Sequence, residues 1–222
     1  MDTLMNTVLD IKTKLSNIPG VLVGEWIVNP PIAINEIETI EKSLPDKLPK
    51  LLKNFYSCEA QSLKFTWEAK DKSIFGDECK RGILNILSPK EILGFWNDMQ
   101  SQVHEARQND EELQENVGIQ ALVKDWPFWI PIVRFPNGDA FCLEVKECSN
   151  SEIYSINFLE HDVMDGGPFI HGLRIATNFE ELIERWSKIG FADVFDWSRV
   201  TNVDGIDLNS LIFLEINKKL NV

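Results

Sequence analysis

The stretch from Trp126 to Val145 constrains this chain more than any other. Phe128 to Val133 is an apolar run, and Phe141, Leu143 and Val145 alternate with Cys142, Glu144 and Lys146. Between them lies Pro136-Asn137-Gly138-Asp139. Asn-Gly accepts the positive φ angles of a tight turn, so the two segments are expected to pair as a hairpin. Ile153 to Leu159 reads as one more strand, which extends the hairpin into an antiparallel meander.

Further strands precede it. Val21 to Val28 is stopped by Pro30-Pro31. Leu63, Phe65, Trp67 and Ala69 alternate with Lys64, Thr66 and Glu68, giving one dry and one wet face. Ile83 to Leu87 follows a charged loop. Helical spacing appears elsewhere. Leu4, Val8, Ile11 and Leu15 form a stripe behind Asp2 and Thr3, ended by Pro19-Gly20. Asn35, with Glu38 three residues on, reads as a capped start for a helix burying Ile34, Ile37, Ile40 and Leu44. Pro45-Asp46 restarts the chain into a helix carrying Leu48, Leu51, Leu52 and Phe55. Ser88-Pro89-Lys90-Glu91 opens a helix with Ile92, Phe95, Trp96, Met99 and Val103 on its apolar face. The polar run Glu105 to Glu115 is expected to be a solvated helix end or loop. Thr177 and Asn178 cap a helix with Phe179, Leu182, Ile183 and Trp186 inward, ended by Gly190. The aromatic tail from Phe191 is expected to pack back, and Leu208 to Leu220 is read as a helix.

Helices, then strands, then a helix define a single α+β domain rather than a doubly wound sheet. The expected division is a helix-and-strand extension over 1–34, a core domain over 35–190 and a C-terminal extension over 191–222.

The net charge is −13, from 35 acidic and 22 basic residues. That field repels phosphate backbones and anionic lipid and steers a basic partner toward the surface. Lys47, Lys50 and Lys53 are offset by neighbouring acids, so nucleic-acid binding has no support. No segment is long and apolar enough to span a bilayer, and the N-terminus lacks the pattern of a signal peptide. Cys58, Cys79, Cys142 and Cys148 match no zinc or redox spacing, which fits reduced thiols in the cytoplasm.

Candidate chemistry is sparse. His161-Asp162 resembles a metal-anchoring pair, but only His104 and His171 could join it, so a metal-dependent hydrolase is the lesser alternative. Cys142 with His161 could form a thiol and base, yet Cys142 lies within a strand, where burial makes it inert. Asp165-Gly166-Gly167 lacks the helix and lysine of a phosphate loop. No cofactor or metal is implied. Acids cluster instead: Asp139, Glu144 and Glu147 around the hairpin, and Glu160, Asp162 and Asp165 after the next strand. Strand order is expected to bring these two groups together at one sheet end. With His161, and with Trp129 as an aromatic anchor, they make a candidate partner-binding surface.

The order of motifs resembles the SUKH superfamily, which includes the Smi/Knr-type regulators of yeast cell-wall synthesis and many bacterial proteins. Ile37, Glu38 and Leu44-Pro45 resemble its first helix, and Leu51, Leu52 and Phe55 its second. Trp129-Ile130-Pro131-Ile132, Gly138-Asp139 and Leu143 resemble its central hairpin. Ile156 to Asp162 resembles the next strand, and Ala176-Thr177-Asn178-Phe179 with Leu182 the closing helix. The chain departs from the family at Ser57-Cys58-Glu59-Ala60, where Asn-Gly is frequent, and at Cys148-Ser149-Asn150-Ser151, where glycines are usual. The resemblance implies a twisted, mainly antiparallel sheet flanked by helices, and a non-catalytic protein-binding role without a cofactor. Bacterial members resemble immunity proteins that neutralise a cognate toxin, often a nuclease. Eukaryotic members resemble regulatory interaction modules.

Overall fold

The computed structural model describes residues 3–109, 115–145, 154–162 and 170–221. Thr3 starts the first helix, α1 (Leu4–Ser16), by accepting the Asn6 N–H on its hydroxyl, and the stripe Leu4, Val8, Ile11 and Leu15 is buried. Strand β1 (Val21–Asn29), helices α2 (Ile34–Glu41) and α3 (Lys50–Cys58) and strands β2 (Ser62–Ala69) and β3 (Arg81–Ile86) follow. Next come α4 (Pro89–Gln108), α5 (Val117–Asp125), β4 (Trp129–Arg134), β5 (Ala140–Glu144) and β6 (Ile156–Leu159). The chain closes with β7 (Arg174–Ala176), α6 (Phe179–Ser187), a two-stranded ribbon β8 (Thr201–Asn202) and β9 (Gly205–Ile206), and α7 (Leu211–Leu220).

Strands β1 to β7 form one sheet in chain order, every neighbouring pair antiparallel. The expected meander is therefore the whole sheet. Alternation along β5 divides the interior. Phe141 and Leu143 join the main core, where Phe65, Trp67, Ile130 and Phe158 meet Val8, Leu52, Leu182 and Phe213 from the helices. Ala140 and Cys142 point the other way, into a smaller core closed by Met99 and Val103 of α4 and Leu122 of α5. Helices thus cover both faces of β4–β6. Over β1 and β2 no described helix covers the outer face, and Leu22 and Glu68 are exposed there, whereas Ile83 of β3 is buried on the same side.

Two expectations need correction. Asn35 does not cap α2: Ala33 holds the cap position, and Asn35 lies exposed in the first turn. Ala33 is the last extended residue, at φ −67° and ψ 142°, and the backbone turns helical from Ile34 onward. Ile34 is consequently 48% exposed rather than buried. Helix α5 was not expected; Asn116 caps it, its side-chain oxygen accepting from the N–H groups of Gly118 (2.8 Å) and Ile119 (3.2 Å). Of the Glu105–Glu115 run, residues 105–108 end α4, and 110–114 lie outside the described residues. Ile153, the expected first residue of the sixth strand, also lies outside them.

Candidate functional site: an acidic cleft at the turn end of the sheet

The β4–β5 turn is held by its own side chains. Gly138 adopts φ 102° and donates its N–H to the Phe135 carbonyl at 3.1 Å. Asn137 donates from Nδ2 to Asp139 Oδ2 at 2.6 Å. The His161 ring lies against Gly138, where a Cβ would come within 2.9 Å of it. Asp139 Oδ1 accepts the His161 backbone N–H at 3.0 Å and lies 3.0 Å from its Nδ1. His161 Nε2 is 2.7 Å from Asp162 Oδ1. A neutral imidazole carries one N–H and serves one of these carboxylates; the imidazolium serves both.

Beside the turn, a cleft of about 520 Å³ opens between the segment before β3 and the segment after α6. Five carboxylates line it (Glu68, Asp77, Glu78, Asp139 and Asp193) against two cations, Lys80 and Arg81. Phe135, Phe158 and Trp197 supply its apolar wall. Arg81 Nε donates to Asp193 Oδ2 at 2.7 Å. Burial pushes the Asp193 carboxyl above the usual carboxylate range; Arg81 opposes the shift and the nearby charge of Asp139 adds to it. Glu78 pairs with Arg199, and Asp77 with Lys72 at 2.8 Å. Phe195 donates its N–H to the Glu78 carbonyl at 3.1 Å and stands 89% exposed at the rim.

Of the residues singled out in the sequence, Asp139, His161 and Asp162 come together here. Glu160 is adjacent but turned away: it accepts from the Ile170 N–H at 3.1 Å and closes the base of the β6–β7 connection. Glu144 lies at the other end of β5, opposite Trp129, and accepts from Ser155 Oγ at 2.6 Å. A strand separates its two ends, so a hairpin can bring only its turn-proximal acid to the turn. Trp129 is 3% exposed in the smaller core, stacked on His171 with ring centroids 4.7 Å apart, so it presents no ring to a partner. Asp165 and Glu147 lie outside the described residues. Glu78, Asp193 and Phe195 escaped the sequence reading. The available signal was the pair of acids, Asp193 and Asp196, set among the aromatics of the tail.

Cys142 is fully buried in the smaller core, and burial pushes its thiol well up. Among the described residues no group of three or more His, Cys, Asp or Glu side chains could hold a metal ion, and no helix is long and apolar enough to cross a membrane.

The chain is thus an antiparallel α+β meander flanked by helices, with an open acidic cleft at the turn end of its sheet. The profile of the SMI1 / KNR4 family (SUKH-1) matches residues 31–185, and the chain belongs to that family. Membership supports an immunity or regulatory protein-interaction role. A search of the curated proteins found no match to the chain.

Proposed function

We propose that this protein is a non-catalytic immunity protein that binds and neutralises a cognate toxin with a basic surface, as nucleases that grip polyanions have. Binding takes place in the cytoplasm and needs no cofactor. The observation that carries this reading is the cleft, where five carboxylates face two cations in a chain of net charge −13. Such a surface attracts a cationic partner and repels nucleic acid. Asp139 lines the cleft and contacts His161, which in turn contacts Asp162, and Phe195 forms the exposed aromatic rim.

The test is a pull-down of the tagged protein from its native cell, with mass spectrometry of what is retained. One basic toxin domain at near-equal amount is the expected result. Several signalling or wall-synthesis proteins would instead make the chain a regulatory scaffold. With the toxin in hand, Asp162→Lys is expected to slow association about tenfold at low salt. Glu144→Lys, at the far end of β5, is expected to change it less than about twofold. Equal effects would remove the acids beside the β4–β5 turn from the interface.

A further inference from the structure

The two edges of the sheet are not alike. Edge strand β7 has three residues and is backed by the β8–β9 ribbon, where a Cβ on Gly205 would come 2.4 Å from the Ile175 carbonyl oxygen. Edge strand β1 has nine residues, and no described strand pairs with its outer side. Open edges are normally blunted by lysine, proline or several charges. This one, Val21-Leu22-Val23-Gly24-Glu25-Trp26-Ile27-Val28-Asn29, carries a single charge. That charge is matched by Lys64, 2.6 Å from Glu25. Leu22 is 52% exposed, Ile27 46% and Val28 36%.

A bulge makes this edge self-complementary. Val23 pairs with Trp67 and Trp26 with Phe65, so Gly24 and Glu25 together oppose Thr66. Faces alternate along a strand, and the extra residue reverses the parity beyond it. Val21, Val23, Trp26 and Val28 therefore share the inner face, while Leu22 and Ile27 share the outer one. We propose that β1 pairs with β1 of a second copy of this chain, antiparallel across a two-fold axis, with Leu22 opposite Ile27. The same register sets Val21 opposite Val28 and Val23 opposite Trp26, so apolar meets apolar on both faces. Glu25 falls opposite Gly24, not opposite its own copy. An unbulged strand in this register would place inward residues against outward ones.

Charge supports the second copy as the occupant. Ile27 is flanked by Lys64 and Leu22 by Glu68 in the register with β2. Each row across the joined outer face thus runs lysine, isoleucine, leucine, glutamate, basic at one end and acidic at the other. At the edge Glu25 and Glu68 stand against Lys64, a smaller acidic excess than the five carboxylates against two cations of the cleft. The seam shares Glu68 with the cleft but uses none of Asp139, Asp162, Asp193 or Phe195, and Ile27→Lys, away from the cleft lining, tests it separately from the toxin reading.

The test is light scattering behind size exclusion from about 1 to about 100 µM chain, with crosslinking to read the register. The wild type is expected to shift to dimer mass with concentration, and more readily at high salt, which screens the net charge. Ile27→Lys, at an exposed position, is expected to remain monomeric. Residues directly opposite in an antiparallel pair have Cα atoms roughly 4.5–5.5 Å apart, within the Cα range that a disulfide bridges. In a Cys58→Ser, Cys148→Ser background, the double variant Leu22→Cys, Ile27→Cys is expected to give a covalent dimer on oxidation, and Leu22→Cys alone far less. A monomer at every concentration overturns the proposal. So does a dimer indifferent to Ile27→Lys. Exchange protection of β1 amides appearing only with a captured partner protein would assign the edge to that partner instead.

Discussion

Asp193 and Cys79 are two residues whose titration can be anticipated from their surroundings. Burial holds the Asp193 carboxyl above its ordinary 3.8, so the folded state keeps that proton more tightly than the unfolded chain. Its contribution to stability is full below about 3.8 and is lost as pH rises through the folded value. Asp193→Asn is expected to flatten that part of the stability–pH curve, measured by urea unfolding between the two pH limits. An unchanged slope would mean that Arg81 already cancels the burial. Cys79 is pushed up to about 12 by burial and the neighbouring Asp193 charge. At pH 8 its thiolate fraction is about 10⁻⁴, so it should resist alkylation. Cys142 is buried as well, and Cys58 is exposed. Peptide mapping after brief iodoacetamide treatment is expected to find Cys58 modified and Cys79 and Cys142 intact. Modification of Cys79 would show that the segment before β3 opens readily. Single residues were unevenly legible in the sequence. The Asp139–His161 contact followed from turn chemistry and strand order, both local. Trp129 and Phe195 exchanged places because composition marks an aromatic as adhesive without saying which face it occupies: Trp129 is inside and Phe195 is out.

Elements were legible where their ends carried chemistry. Ser88 accepts from the Glu91 N–H at 3.3 Å, and Glu91 Oε2 accepts the Ser88 N–H at 2.7 Å, completing the box written as Ser-Pro-Lys-Glu. Asn178 likewise accepts from the Glu181 N–H at 2.8 Å. Asn35 carried the same signature and failed, because a capping motif works only where the chain arrives in an extended conformation at that residue. Ser88→Ala is expected to lower stability by about 1 kcal/mol, and Asn35→Ala by less than about 0.5 kcal/mol, in chemical denaturation. Equal losses would restore Asn35 as a cap. Helix α5 and strand β7 escaped for reasons of length. Nine residues with Ile119 and Leu122 as the buried aliphatics give barely one repeat of a helical stripe, and three residues give no alternation to read.

At the scale of the molecule, the family match covers 31–185, yet the core does not stop there. Leu15 of α1 and Leu220 of α7 both approach Gly190, just beyond α6. A Cβ on Gly190 would lie 3.2 Å from a Leu220 methyl and 3.7 Å from one of Leu15. Gly190 has φ 66°, so its lack of a side chain both turns the chain and admits the two leucines. Trp186 donates its ring N–H to the Ala192 carbonyl at 2.8 Å, which ties the segment after α6 back to the end of that helix, itself continuing past the match. The first and last helices therefore close one core from opposite ends of the chain. Leu15 is fully buried, so Leu15→Ala removes a methyl-lined contact that neighbours can only partly refill. A loss of about 3 kcal/mol is expected. The tryptophan fluorescence transition, to which Trp67, Trp186 and Trp197 in that core contribute, should then shift to lower denaturant together with far-ultraviolet circular dichroism. If α1 formed a separate extension, the substitution would leave the main transition in place and add a small early one.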